Sequence, residues 1–362
     1  MGSSTETISR RETAEINAQY KKFIGRKILF ILLSFTLIFI LAGISATLGS
    51  AHITFFETYS TILHRFFPDH FHTRWLAEVC VWQLRLPRIL MGILAGMGLA
   101  IAGTVLQGIL RNPLASPITL GITSGAGFGA ALAIIFSAGF VADEYLIIVN
   151  AFVFALIPTF FIIGLTRYRR ATPETMVLAG IAMLYIFSAA TTLIEYFAEA
   201  EAVKAAVFWM VGSLGSVLWE DLLPVSIVLA VCIPLLMWKS WDLNVMGAGD
   251  ERAKSLGVNV ERTRIVILMI ATLLVAGIIS FVGAIGFIGL VAPHMCRLVI
   301  GGDNRFLIPA SGLFGAALLL AADTIARTII APVILPVGVI TAFMGGPLFL
   351  YLIIRRRRRE YW

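Results

Sequence analysis

The chain has 362 residues, of which 59% are hydrophobic and 14% are charged, and its mean hydropathy is +0.92. Soluble domains carry about 25% charged residues, so this composition excludes an ordinary soluble protein. The formal net charge is +7, but the basic residues stand in short clusters between apolar runs. That distribution is typical of membrane proteins and argues against nucleic acid as a partner.

Stretches without Asp, Glu, Lys or Arg recur along the chain, and the longest covers residues 265–296. One helical crossing of a bilayer needs about 20 apolar residues, so these stretches predict membrane spans. The longest stretch has a Gly-rich break at residues 282–286 and predicts most of two spans. Ten spans are predicted: 28–48, 89–110, 118–139, 145–166, 175–195, 222–240, 264–283, 286–300, 306–326 and 337–354.

The first span follows a basic segment, as a signal peptide would. Its apolar core is longer than the roughly 7–15 residues of a signal sequence, so an uncleaved span is predicted. The sequence therefore divides into a cytoplasmic N-terminal arm (1–27), a single transmembrane domain (28–354) and a basic cytoplasmic tail (355–362).

The basic residues also predict the orientation of the chain. Of the 28 Lys and Arg residues, 22 fall in the two termini and in the loops that lie inside if both termini are cytoplasmic. Cytoplasmic loops carry an excess of Lys and Arg, so both termini are predicted inside, which agrees with an even number of spans. Spans two to five and seven to ten form two groups offset by five, which suggests an inverted repeat.

The chain lacks the common sequence signatures of catalysis and metal binding. The motifs GxxxxGK[ST], HExxH and GxSxG are absent from the sequence. The three cysteines have no CxxC spacing, so packing residues are predicted rather than a disulfide or a zinc site. These cysteines are Cys80, Cys232 and Cys296. The sequence predicts no catalytic residue, resident cofactor or metal on this chain.

Ionisable groups are also scarce inside the predicted spans. An ion-coupled secondary transporter places paired charges near mid-bilayer, and an intramembrane enzyme needs paired catalytic groups at one depth. The candidates are His294, Arg297, Glu195, Asp323 and Arg327. All except His294 fall near predicted span ends, and His294 is interpreted as a hydrogen-bonded structural residue. A partner that supplies energy is therefore favoured over both alternatives.

The longest internal cytoplasmic loop, residues 241–259 within a predicted coupling loop of 241–263, carries its own helix signals. Asp250 is a good N-cap, Glu251 complements a helix N-terminus, and Gly257 suits a left-handed position after the helix. Asn259 can cap the seventh span. A helix of two turns is marginal alone, so docking on its own bundle or on a second protein is predicted, with a simple connector as the alternative. Four apolar residues offer a small docking face: Met246, Ala253, Leu256 and Val258.

The order of several motifs resembles the FecCD-type permeases, the membrane subunits of ABC importers for iron–siderophore complexes, haem and cobalamin. The resemblance covers about residues 84–354, and the first span fits by position. The matching motifs include LRLPR at 84–88, RNPLA at 111–115, LAG at 178–180, GSL at 212–214, GD at 249–250, GFIGL at 286–290 and APH at 292–294. Asp250 stands where the family commonly has Glu, which preserves the negative charge.

The resemblance implies a ten-span type II ABC importer permease in the cytoplasmic membrane of a prokaryote. Its implied partners are a second permease, identical or different, two cytoplasmic ATPases that bind ATP and Mg, and an extracytoplasmic binding protein. An iron–siderophore complex is the first expectation for the substrate, with cobalamin and haem as alternatives. The cytoplasmic helix is then an ATPase-coupling helix, with the residues Gly249, Asp250, Glu251, Ala253, Leu256 and Gly257.

Three arginines lie at the predicted outer mouth, against the charge bias. The resemblance implies that Arg85, Arg88 and Arg327 pair with acidic residues of the binding protein, a role suited to bidentate guanidinium groups. The alternative for Arg85 and Arg88 is snorkelling at the membrane interface. The alternative for Arg327 is an i, i+4 pair with Asp323.

Overall fold

The computed structural model describes residues 2–49, 53–142, 145–166, 168 and 172–354, and the regular elements in these ranges are helical. The predicted basic tail, 355–362, lies outside the described residues. The helices are α1 Gly2–Thr47, α2 Phe55–His64, α3 Trp75–Glu78, α4 Leu86–Leu110, α5 Ile122–Phe136, α6 Leu146–Thr166, α7 Pro173–Tyr196, α8 Ala200–Val211, α9 Trp219–Trp238, α10 Ser240–Gly247, α11 Asp250–Ser255, α12 Val260–Val282, α13 Ile288–Ile300, α14 Asn304–Thr328 and α15 Val337–Ile354.

Each predicted span coincides with one helix, in the order α1, α4, α5, α6, α7, α9, α12, α13, α14 and α15. Seven of these are long and apolar enough to cross a membrane, whereas α5, α13 and the described apolar part of α15 are shorter. The predicted all-helical, multi-span fold is confirmed. Helix α1 begins at Gly2, so the predicted N-terminal arm and the first span form one helix.

The second span is longer than the predicted 89–110. A π-helical stretch, Val79–Arg85, joins α3 to α4, so that helical structure runs from Trp75 to Leu110. Arg85 and Arg88 interrupt the apolar run in the sequence, but both side chains are buried and paired within the chain. The helix therefore continues where the hydropathy pattern predicts its end.

Helix α4 lies at the centre of the bundle and packs on α14, α12 and α13. Its glycines permit this packing. A Cβ atom at Gly96 would lie 2.6 Å from the carbonyl oxygen of Gly315 in α14. Gly103 meets the backbone of Gly289 in α13 in the same way. Small residues at helix crossings let backbones approach closely in membranes.

The helix contacts support the predicted inverted repeat. In the two groups of four spans, α4 corresponds to α12 and α6 corresponds to α14. Helix α4 packs on α14 and α6 packs on α12, so the repeat relates one contact to the other. The short helices α5 and α13 occupy corresponding positions in the two groups. Between α6 and α12, the hydroxyl groups of Thr159 and Thr272 share a 2.7 Å hydrogen bond.

The two short helices begin at irregular segments that meet inside the bundle. Residues 116–118, before α5, and residues 285–287, before α13, line one small internal cavity. Irregular backbone at membrane depth persists only where protein or enclosed water satisfies its polar groups. The Pro-rich and Gly-rich breaks of the sequence therefore become a buried junction between the two repeats.

Candidate functional site

The helix signals of the loop between α9 and α12 are partly realised. Gly257, the residue after the C-cap of α11, has a left-handed φ of 86°. The Asn259 side chain accepts a 3.0 Å hydrogen bond from the backbone of Arg262 and caps α12. Both predictions are confirmed. The predicted N-cap is wrong, because Gly249 occupies that position with a φ of 113° and Asp250 is the first residue of α11.

The Asp250 carboxylate points to two arginines instead of capping its own helix. It lies 3.0 Å from Nη2 of Arg111 and accepts hydrogen bonds of 3.1 and 3.2 Å from Nη2 of Arg264. The Arg264 side chain is only 1% exposed, and its Nε donates a 3.0 Å hydrogen bond to the carbonyl of Ile109 in the last turn of α4. Arg111 is the C-cap of α4. One carboxylate therefore joins the ends of α4, α11 and α12.

The predicted apolar docking face is divided between two surfaces. Met246 and Ala253 are buried in the chain's own core, so they attach α10 and α11 to the bundle. Leu256 is 70% exposed. Glu251 and Lys254 of α11 form an exposed ion pair of 3.1 Å. The sequence left open whether the helix docks on its own bundle or on a second protein, and α11 has one side suited to each.

Helix α10 has a separate polar anchor on α14. The Asn244 amide donates a 2.9 Å hydrogen bond to Asp303, and its oxygen accepts one of 2.7 Å from the backbone of Asn304. Arg305 binds both Asp303 oxygens, and Lys27 lies 3.3 Å away. Burial alone would raise the pKa of Asp303, but the hydrogen bonds from Arg305 and Asn244 outweigh it and hold the pKa well below its usual range.

At the opposite end of the bundle, Asp323 connects two arginines. Nε and Nη2 of Arg88 donate hydrogen bonds of 2.9 and 2.7 Å to one Asp323 oxygen, and Nε of Arg327 lies 3.1 Å from the other oxygen. The i, i+4 pair that the sequence offered as the alternative for Arg327 is therefore present. These three side chains join α4 to α14 in the interior.

Arg85 and Arg327 also bind the end of α1. Arg85 donates hydrogen bonds of 2.7 and 3.0 Å to the carbonyls of Ala46 and Thr47. Arg327 donates hydrogen bonds to the carbonyls of Ser45 and Leu48, at 3.1 and 3.2 Å. The last carbonyls of a helix have no partner within it, so the two arginines act as a C-terminal cap for α1.

These contacts bear on the expected docking of a binding protein. Arg85, Arg88 and Arg327 are 5%, 6% and 3% exposed. Interfacial snorkelling, the alternative for Arg85 and Arg88, does not describe them, because their charged ends are not at the surface. The docking role stays a prediction, and it would require the outer ends of α1, α4 and α14 to rearrange.

Sequence reasoning missed two residues of the inner site, Arg111 and Arg264. Both were counted as ordinary positive residues of cytoplasmic loops. Arg111 opens the RNPLA motif directly after α4, and Arg264 lies one turn inside α12, where a charge needs a partner. The position of Arg264 was the available signal, because a charge buried within a helix bundle is stable only when it is paired.

The described residues thus form a multi-span helical membrane protein, with two groups of four helices and a short helix outside the predicted spans. Comparisons with known proteins identify the family. The chain is 44% identical over 357 residues to an ABC transporter permease protein of Methanocaldococcus jannaschii, covering 95% of this chain and 99% of the relative. It is 39% identical over 327 residues to the hemin transport system permease protein HmuU of Yersinia pestis, covering 90% and 95%.

A solved structure shares the fold over the same length. It is an inward-facing conformation of a protein assigned to the metal-chelate type of ABC transporter, with 30% identity and a TM-score of 0.79 over 90% of this chain and 99% of that one. The profile of the FecCD transport family matches residues 35–355. The chain belongs to the FecCD transport family and is an ABC importer permease.

Proposed function

We propose that this chain is the membrane-spanning subunit of a binding-protein-dependent importer that moves a metal chelate across the cytoplasmic membrane of a prokaryote. Two ATPase subunits, which bind ATP and Mg, supply the energy. A second permease, identical or different, completes the pathway, and an extracytoplasmic protein delivers the substrate. The chain itself holds no cofactor in this proposal.

The observation that carries the proposal is the exposed side of α11. Leu256, the C-cap of α11, is a large apolar side chain that is 70% exposed. Glu251 and Lys254 of α11 add an exposed ion pair. An apolar centre with a polar rim is the usual composition of a protein interface. The partner predicted to bind there is an ATPase subunit, with Gly249 and Gly257 setting the turns at the ends of α11.

An iron–siderophore complex is the proposed substrate, with haem and cobalamin as the alternatives. The relative from Yersinia pestis is named for hemin transport, and the solved relative is of the metal-chelate type, so both support a chelate. The test is uptake into proteoliposomes that hold the whole importer with its own binding protein. Saturable, ATP-dependent uptake of an iron–siderophore supports this choice, and uptake of haem or cobalamin alone would replace it.

The coupling role is tested by Leu256→Asp. A charge at the centre of an apolar contact is left desolvated, so we expect ATPase subunits to co-purify with the permease at about tenfold lower yield and uptake to fall with it. The matched control is Leu76→Asp, which changes a Leu that is 51% exposed near the predicted outer end. Unchanged ATPase binding in Leu256→Asp would contradict the proposal, as would uptake driven by an ion gradient without ATP.

A further inference from the structure

We infer that Asp250 is a positioning residue that carries the displacement of α11 to α4 and α12 through Arg111 and Arg264. The inference rests on the proposed function, because it requires α11 to move with a partner ATPase. It differs from the role that the sequence suggested, in which Asp250 caps its own helix as one residue of the ATPase-coupling segment.

Helix α11 has little apolar contact with the bundle. The helix has six residues, and Ala253 is its one buried apolar side chain. A single methyl group makes few contacts, so its apolar packing transmits little of a displacement of α11 to the bundle. The ion pairs of Asp250 with Arg111 and Arg264, at 3.0 and 3.1 Å, are the stronger connection.

The ion pairs of Asp250 connect α11 to α4 and α12. Arg264 is buried and uses separate nitrogen atoms for Asp250 and for the carbonyl of Ile109. The guanidinium group is rigid and planar, so a shift of one acceptor reorients the group against the other. Arg111 ends α4 in a left-handed conformation with a φ of 45°. Both arginines therefore join α11 to the inner end of α4, the helix that packs on α12, α13 and α14.

Glu174, in the first turn of α7, adds a second negative charge near Arg111 and Arg264. The carboxylate that pairs directly with both arginines is that of Asp250. Removing its charge breaks both ion pairs, which releases α11 while leaving its exposed side unchanged.

The test uses the complete importer in proteoliposomes, with nitroxide labels at two introduced cysteines. The three native cysteines are buried, and Ser255 and Leu114 are exposed, the first on α11 and the second in the loop after α4. In the wild-type background, ATP should change the spectra of both labels. In Asp250→Asn, the Ser255 label should still respond, the Leu114 label should not, and substrate moved per ATP should fall about tenfold.

Asp250→Glu keeps the charge and should restore both the Leu114 response and the transport ratio. Asp242→Asn makes the same chemical change in α10, where Asp242 pairs with Lys239 at 2.8 Å, and should behave as wild type. If Asp250→Asn does not assemble, Arg111→Gln tests the same connection, because this arginine is partly exposed.

The outcomes separate the inference from the proposed function. A normal Leu114 response and a normal transport ratio in Asp250→Asn or Arg111→Gln would overturn the inference alone. Failure of Asp250→Glu to restore them would also overturn it, because the lost charge would then not be the cause. A Ser255 label that ignores ATP in the wild type would overturn the proposed function and the inference together.

Discussion

Asp323 is fully buried, and two guanidinium groups surround it. A buried charge is stable only when its partners replace the lost hydration. Removing one member of a buried ion pair therefore destabilises the fold by more than the pair stabilised it, because the other charge is left buried without a partner. The arginines at the predicted outer end of the bundle are therefore part of the fold, whatever further role they have.

We expect Asp323→Asn to lower the free energy of unfolding by about 3–5 kcal/mol, because Arg88 and Arg327 would remain buried without a counter-charge. Thermal unfolding of the purified permease in detergent would measure the effect as a lower Tm. The control is Glu57→Gln, which removes an acid paired with the exposed Arg74. An equal fall in Tm for both variants would contradict the structural role of Asp323.

The pKa of Asp303, at the predicted inner end of the bundle, leads to a prediction about how stability depends on pH. Its pKa is lower in the folded state than in the unfolded chain, so its charged form stabilises the fold at neutral pH and that contribution is lost as the pH falls. We expect Asp303→Asn to have a lower Tm than the wild type at pH 7, with a difference that shrinks below about pH 4. A difference that is constant or grows in acid would show that Asp303 is not held in its charged form.

At the scale of helices, close packing of α4 depends on glycine. We expect Gly96→Ala to lower the free energy of unfolding by about 1–3 kcal/mol, because the new methyl group would press on the backbone of α14. Gly164→Ala in α6 is the matched control, since a Cβ there meets nothing within 4 Å. Thermal unfolding measures both, and a neutral Gly96→Ala would show that α4 and α14 can separate at little cost.

Helices with a continuous apolar run were predictable from sequence, and those without one were not. A helix lies at each of the ten predicted spans, and seven of these helices are long and apolar enough to cross a membrane, because hydropathy reports burial in lipid. Helices α2 and α8 were missed because they are short, and α10 because it lies in what was interpreted as a loop. The start of the second span was placed too late because paired arginines interrupt its apolar run. Such pairing depends on residues far apart in the chain.

The short helix of the candidate site was predicted in position, and its end signals were predicted in part. The turns at Gly257 and Asn259 follow from local backbone chemistry, which short sequence patterns record. The role of Asp250 does not follow from local patterns, because its partner Arg264 is 14 residues away and its partner Arg111 is the C-cap of another helix, α4. Local capping rules favoured an N-cap, and long-range charge pairing was stronger.

At the scale of the whole molecule, the orientation in the membrane stays a prediction from the charge bias. We expect a cysteine at Ser255 to react with a membrane-impermeant thiol reagent only after the cells are opened, because α11 is predicted to be cytoplasmic. A cysteine at Phe66, an exposed residue of the predicted outer region, should react in intact cells. Labelling of Ser255 in intact cells would reverse the topology and remove the ATPase from the proposed function.

The cap on α1 has a consequence for biosynthesis. The carbonyls at the end of the first span are bound by Arg85 and by Arg327, and Arg327 is 282 residues beyond Ser45. Ribosomes make the N-terminus first, so α1 enters the bilayer long before its second arginine exists. The first helix to be inserted is therefore among the last to be finished, and nascent chains that stop before the ninth span leave its outer end incomplete.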